Sequence, residues 1–163
     1  LTDKPVEWDP KTESVYIGTK PGAGKVVRAD ELKPYNRSYA VAKTGESAQF
    51  ELLGETQTPF NRYIMDETVK LNGMYTELNG EFVAKQASLT STGSALLRIY
   101  AVDQYGTKNL IDSYELKSGD EPVSVHTNIR GCDYLYIDIE YPTLGNYSGG
   151  YFYNVTFTQA SAG

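Results

Sequence analysis

The sequence predicts an all-β fold, an antiparallel β-sandwich of jelly-roll type, on three observations. Apolar and polar residues alternate with period two from about Ser47 onward, while no stretch repeats apolar residues at helical spacing. Turn signals at Gly54, Asn72-Gly73, Asn79-Gly80, Gly93, Gly106, Gly119, Gly131 and Gly145 divide that alternation at intervals of roughly 8 to 14 residues. The 163 residues suffice for one domain with a sizeable core but hardly for two.

In chain order, Val6 to Gly18 (VEWDPKTESVYIG) reads as strand, turn and strand, with Asp9-Pro10 opening the turn and Trp8 in the hairpin's core. Thr19 to Lys25 (TKPGAGK) is a flexible linker or long loop. It is not a phosphate loop, since the GxxxxGK[ST] spacing is absent, no helix follows and Val26 comes after Lys25. Asp30-Glu31-Leu32 before Lys33-Pro34 allows one helical turn. Short strands are predicted at Gln49 to Leu53, Arg62 to Met65, Glu81 to Ala87 and Leu110 to Leu116. Thr68 to Gly80 (TVKLNGMYTELNG) reads as two short extended pieces, each punctuated by an Asn-Gly pair that accepts positive φ.

The stronger strands come later. Ala95 to Val102 is apolar on both faces apart from Arg98, as in a central strand covered on both sides. Pro122 to Ile129 turns Val123, Val125 and Ile129 inward, with Ser124, His126 and Asn128 outward. In Asp133 to Tyr141, Leu135, Ile137 and Ile139 oppose Tyr134, Tyr136, Asp138 and Glu140. Strict alternation over Tyr151 to Thr158 sets Tyr151, Tyr153, Val155 and Phe157 against Phe152, Asn154, Thr156 and Thr158. The division read from this is 1–24 hairpin and linker, 25–159 sandwich module, and 160–163 the start of a further linker. The start at Leu1 without Met, and the Ala-Ser-Ala-Gly end, suit a segment of a longer chain.

Several function classes are set aside by composition. The formal charge is −6 with basic residues scattered singly, which argues against nucleic acid and anionic membrane surfaces as partners. No apolar run approaches the ~20 residues of a membrane-spanning helix. The single Cys132 excludes an intrachain disulfide and reads as a half-buried apolar residue, and the single His126 cannot build the usual zinc site or a triad. Glycoside hydrolysis needs an acid and a base across a sugar, and Asp138 and Glu140 do project from one face of one strand, but such pairs are common on solvent-facing sheets and no catalysis is expected of them. Asp103, Asp112, Asp120 and Glu121 sit near strand ends, where a structural Ca²⁺ would find ligands, although no EF-hand spacing exists. No other cofactor is expected.

The unusual number is fourteen Tyr against one Trp and five Phe. Tyrosine has an apolar ring and a polar tip, so it serves a core margin or a wet binding face equally well. The predicted loop from Tyr141 to Asn154 (YPTLGNYSGGYFYN) is longer than a tight hairpin needs. It brings Tyr141, Tyr147 and Tyr151 together with Asn146 and Ser148. Flat rings suit the C–H faces of a sugar, and the amide and hydroxyl suit its hydroxyls. The competing reading folds these tyrosines back over the end of the sandwich. Tyr105, in the turn Asp103 to Gly106, is placed at either end. Tyr35, Asn36, Arg37, Ser38 and Tyr39 form a second cluster, read first as an ordinary crossover loop.

Taken together, TVKLNGMYTELNGEFVA, LLRIYAVDQYG and YELKSGDEPVSVHTNIRGCDYLYIDIE resemble the novel putative carbohydrate-binding modules (NPCBM) of bacterial surface proteins. The likeness runs from about Pro59 to Phe157, with Leu71 to Gly80, Leu97 to Gly106 and Gly119 to Ile137 as its motifs. It implies a jelly-roll-like sandwich that binds glycans or derives from a glycan binder. Its motifs describe scaffold, so no functional residue is carried over. VEWDPKTESVYIG separately resembles the closing hairpin of the stalk domain of copper amine oxidases, a segment that holds no copper.

The expectation is therefore a non-catalytic, secreted or cell-surface carbohydrate-binding module, monomeric within a multimodular protein of a Gram-positive bacterium. Tyr141, Tyr147, Tyr151 and Tyr105 would stack on a polysaccharide such as a starch-like α-glucan, with Asn146 and Ser148 bonding its hydroxyls. The alternative is a surface spacer module with no sugar site.

Overall fold

The computed structural model describes residues 6–9, 14–17, 24–32, 34–37, 48–63, 67–86, 88–143 and 149–160. The first strands are β1 (Val6–Asp9), β2 (Ser14–Ile17), β3 (Val26–Arg28), β4 (Pro34–Arg37), β5 (Phe50–Leu52), β6 (Glu55–Gln57), β7 (Arg62–Tyr63) and β8 (Glu67–Lys70). The long strands follow: β9 (Tyr75–Ala84), β10 (Ser94–Val102), β11 (Lys108–Lys117), β12 (Val123–Asn128), β13 (Tyr134–Glu140) and β14 (Gly150–Gln159). One 3-10 turn, Ala29–Glu31, stands where a helical turn is predicted, and the Glu31 carboxylate accepts the Arg28 N–H at 3.2 Å.

Every strand pair among the described residues is antiparallel. β1 and β2 form a hairpin with Val6 opposite Ile17, and β5 and β6 form another with Phe50 opposite Gln57. The remaining strands make two sheets. Sheet I has the order β11-β10-β13-β8-β4, and sheet II the order β12-β9-β14-β3 with β7 also on β14. Alternation turns one face of each sheet inward. Leu97, Ile99, Leu135 and Ile137 of sheet I meet Leu78, Phe82, Phe152, Val155 and Phe157 of sheet II, all at most 1% exposed. Burying each such side chain contributes about 1.5–3 kcal/mol. The all-β sandwich is thus as predicted.

Three local expectations need correction. Asn72-Gly73 is a true two-residue turn, with φ of 53° and 67° and a bond from Met74 N–H to Leu71 C=O at 3.0 Å. Asn79-Gly80 is not a turn. β9 runs through it, because the Phe152 ring of the adjacent strand β14 occupies the space over Gly80, where a Cβ would come within 2.6 Å of Phe152 Cε1. Glycine is needed there for room.

The second correction concerns β10. It is internal to sheet I, but its buried residues are Ser94, Ala95, Leu97 and Ile99, while Leu96, Arg98 and Tyr100 lie half-exposed on the outer face. Apolar residues on both faces need not mean cover on both faces. The third is β14. A bulge between Tyr153 and Thr156 puts Asn154 at φ 52° and shifts the alternation by one residue. Phe152 therefore joins Val155 and Phe157 in the core, and Tyr151 and Tyr153 face outward beneath Phe50 of the β5–β6 hairpin.

The bulge also divides the open edge of β14 between two partners. Before it Phe152 and Tyr153 pair with β7, and after it Thr156 to Thr158 pair with β3. At the start of β14, Gly150 faces sheet I so closely that a Cβ would stand 2.8 Å from that of Ala95. β14 and β10 are thereby drawn together beside the tyrosine loop.

Candidate functional site

Strand direction sorts the predicted residues between the two ends of the sandwich. Tyr141 leaves β13 beside the start of β10, near Ser94, and Gly150 pairs with Ala84 at the end of β9. Tyr141 and Tyr151 therefore share one end. Tyr105 follows the far end of β10, roughly 30 Å away along a nine-residue strand. It is 85% exposed, and its turn is held by Asp103, whose Oδ1 accepts the N–H groups of Tyr105 and Thr107. Asn146, Tyr147 and Ser148 lie outside the described residues, as do Ser38 and Tyr39 of the second cluster.

At the shared end, Thr143 accepts a backbone bond from Ser94 N–H and donates its own N–H to Ser94 Oγ, and Lys85 N–H binds Gly149 C=O at 2.8 Å. These bonds fix both stems of the loop. Tyr141 is 39% exposed. Partial burial, then the neighbouring Tyr151 and Asp138, raise its hydroxyl above the usual phenol range. It remains a neutral donor. The Tyr151 ring is stacked on Phe50 at 4.5 Å between centroids, and the Arg62 guanidinium lies 5.0 Å from its centre. Beside this end a cavity of about 320 Å³ is lined by Leu53, Gly54, Gln86, Ser88 and Leu89.

The opposite end holds a shallow groove of about 440 Å³ between residues 101–104, Asn109 and residues 130–133. Cys132 on its wall packs against the core, and burial raises its thiol pKa. A third concavity opens on the outer face of sheet II. It measures about 250 Å³ and is lined by Gln57, Thr58, Pro59, Glu81, Pro122, Tyr153 and Asn154. The sequence reading missed it, because strict alternation hides the bulge that forms it.

Glu140, Asp112 and Asp120 have structural partners. Glu140 accepts a 2.6 Å bond from Arg98 on the outer face of sheet I, so the Asp138 and Glu140 pair is tied into that surface. Asp112 Oδ2 accepts the hydroxyls of Tyr114 and Thr127, joining β11 to β12 across the open side of the sandwich. Asp120 accepts the Lys117 N–H. Among the described residues no group of three or more His, Cys, Asp or Glu could hold a metal ion, and no helix is long and apolar enough to cross a membrane. His126 stands exposed on β12 with its ring against Asn79 and Glu77.

No protein-family model matches the chain, and no curated protein matches it. Solved structures do. The CBM51 module from a Clostridium perfringens GH95 protein, in complex with methyl-galactose, superposes with a TM-score of 0.56 at 16% identity, over 82% of this chain and 100% of that one. CBM51-2 with the INT domains of Clostridium perfringens ZmpB, in complex with GlcNAc, gives 0.60 at 9% identity over 94% of this chain. The chain shares the CBM51 fold. Tandem CBM51 modules of a family 98 glycoside hydrolase from Streptococcus pneumoniae give 0.56 at 9% identity over 82% of this chain. The chain spans 17% of the ZmpB structure that includes its catalytic domain and 36% of the one with GlcNAc.

Proposed function

We propose that this chain is a non-catalytic carbohydrate-binding module of a larger extracellular bacterial protein, of the NPCBM type that its motifs resemble. The loop end of the sandwich is its glycan site. The observation that carries this reading is the half-exposed Tyr141 ring beside the Tyr151 hydroxyl, on a fold shared with modules crystallised with methyl-galactose and GlcNAc. Tyr141 would stack on a pyranose ring, with Tyr147 as a second platform, and Tyr151, Asn146 and Ser148 would bond its hydroxyls. A terminal galactoside or N-acetylhexosamine joins starch-like α-glucan among the ligands to test. Tyr105 belongs to a separate surface at the other end.

The competing reading, a spacer without a sugar site, draws on the Phe50 and Arg62 contacts that occupy the Tyr151 ring. Affinity electrophoresis through immobilised polysaccharides, with calorimetry on galactosides and N-acetylhexosamines, separates the two. Tyr141→Ala should weaken binding about tenfold or more, a loss of about 1.4 kcal/mol, and Tyr105→Ala should leave it unchanged. Failure of every glycan to bind favours the spacer.

A further inference from the structure

We propose that the cavity over the Asn154 bulge is a sugar site in its own right, taking a single neutral hexopyranose unit on the outer face of sheet II. It lies on a different surface from the loop end and stands on different residues.

The cavity is built from a fixed frame. Asn154 adopts the left-handed conformation, which asparagine tolerates better than most residues. A clamp holds it there. Phe60 N–H donates to Asn154 Oδ1 at 3.1 Å, and Asn154 N–H donates to the Asn61 carbonyl at 3.1 Å. Asn61, 0% exposed, accepts the Val155 N–H at 2.9 Å through its side-chain oxygen. Its amide nitrogen donates to the Val155 carbonyl and to Asp30, each at 3.1 Å. Asp30 is gripped in turn by Arg28, which also reaches the Phe60 carbonyl. The wall of the cavity is thus set before any ligand arrives, which lowers the ordering cost of binding.

The lining keeps hydrogen-bonding capacity in reserve. Tyr153, only 5% exposed, has no hydrogen-bond partner for its hydroxyl among the described residues. The hydroxyl is not sealed from solvent: it opens on the cavity, where it is free to bond a ligand. Burial, then the Glu81 carboxylate, push it up to about 12, so it stays a neutral donor at every physiological pH. Glu81 accepts one bond, from Asn154 Nδ2 at 3.1 Å, and has no cationic partner among the described residues. A carboxylate has about four acceptor sites, enough for two adjacent sugar hydroxyls. Gln57 and Thr58 add an amide and a hydroxyl, and Pro59 and Pro122 supply apolar surface.

Size and charge narrow the ligand. At about 250 Å³ the cavity is smaller than the ~300–1,000 Å³ of pockets for drug-sized molecules, which suits one ring and not a chain in depth. One carboxylate with no Lys, Arg or His among the described lining residues repels uronic acids, sialic acids and phosphorylated sugars. What fits is the uncharged end unit of a glycan.

The test is an amide-resolved NMR titration of the whole chain with methyl galactoside, N-acetylglucosamine and methyl glucoside, each against glucuronate. At least one neutral sugar should give saturable shifts at Glu81, Tyr153 and Asn154, and glucuronate should give none there. Tyr153→Phe keeps the ring on Phe50 and removes the hydroxyl, and should weaken binding about tenfold. Glu81→Gln should do likewise, and Tyr141→Ala should leave these shifts intact. Absence of shifts at these residues with all three neutral sugars overturns the proposal. So does equal binding of glucuronate, or unchanged affinity in both cavity variants. Shifts that vanish only in Tyr141→Ala support the loop-end site and overturn this one, whereas shifts here without any at the loop end do the reverse.

Discussion

On the outer face of sheet I, Tyr100 and Tyr136 stand side by side with ring centroids 5.7 Å apart, and Lys108 Nζ lies 3.7 Å from the centre of the Tyr136 ring. On the outer face of sheet II, Tyr151 and Tyr153 occupy the corresponding outward positions, but Phe50 and Leu52 of the β5–β6 hairpin close over them. Residue type and position in the pleat are the same, and the circumstances are opposite. On sheet I each ring is half in water and partnered by charges. On sheet II the rings form a second small core, and the rim of that core becomes the polar cavity beside Glu81 and Asn154. What covers a tyrosine decides whether it carries stability or chemistry.

The sharpest way to break this contrast is at the seam of sheet II. Phe152→Ala empties a fully buried site and should cost about 3–5 kcal/mol in denaturant unfolding. Gly80→Ala drives a Cβ into the same ring and should cost about 1–3 kcal/mol. The two should not add. With the Phe152 ring gone, Gly80→Ala should be nearly silent, and a double-mutant cycle measures that coupling. Additivity would mean that β9 holds a glycine at position 80 for some other reason.

The next effect is at the clamp. Asn61→Ala strips partners from Val155 N–H and Asp30 together and should cost about 2–3 kcal/mol. It should also release Asn154, so binding in the sheet II cavity should fall further than global stability does. Loss of stability with sugar affinity intact would show that the clamp does not frame the cavity.

The fold was legible because its signals are local. Alternation in Leu135, Ile137 and Ile139, and the Asn72-Gly73 turn, each follow from residues adjacent in the chain. The errors came from long-range causes. Asn79-Gly80 resembles a turn until the Phe152 ring of the adjacent strand is seen lying over it, and no local pattern supplies that ring. The bulge did leave a trace, since Phe152, Val155 and Phe157 are spaced three and then two apart, and the polar residue in the odd interval is Asn154. The site was legible only in kind. Tyrosine abundance pointed to a wet aromatic surface, but which rings Phe50 and Arg62 would engage depends on how the β5–β6 hairpin docks. The sequence also gave no means of sending Tyr105 to the far end.

A smaller and pH-dependent test comes from Tyr153. Its folded-state pKa is raised to about 12 from 10.0, so the native state prefers the neutral phenol. Its contribution is complete below pH 10 and is lost as pH rises from 10 towards 12, at about 1.4 kcal/mol per pH unit. Tyr114 and Tyr141 are also raised and act in the same direction. In alkaline unfolding titrations, Tyr153→Phe should be the variant that flattens the decline most. An unchanged slope would mean that this hydroxyl is not held neutral under the hairpin.

The smallest effect belongs to sheet I and sets the scale for the rest. Lys108→Met keeps most of the aliphatic stem and deletes the ammonium over Tyr136, an exposed cation–π contact worth about 0.5–1 kcal/mol. Added salt should erase most of that difference, because both partners face water. If the variant instead loses as much as Asn61→Ala, the outer face of sheet I is covered in solution. The tyrosines of the two sheets would then differ in which element covers them, and Tyr100 and Tyr136 would count as core.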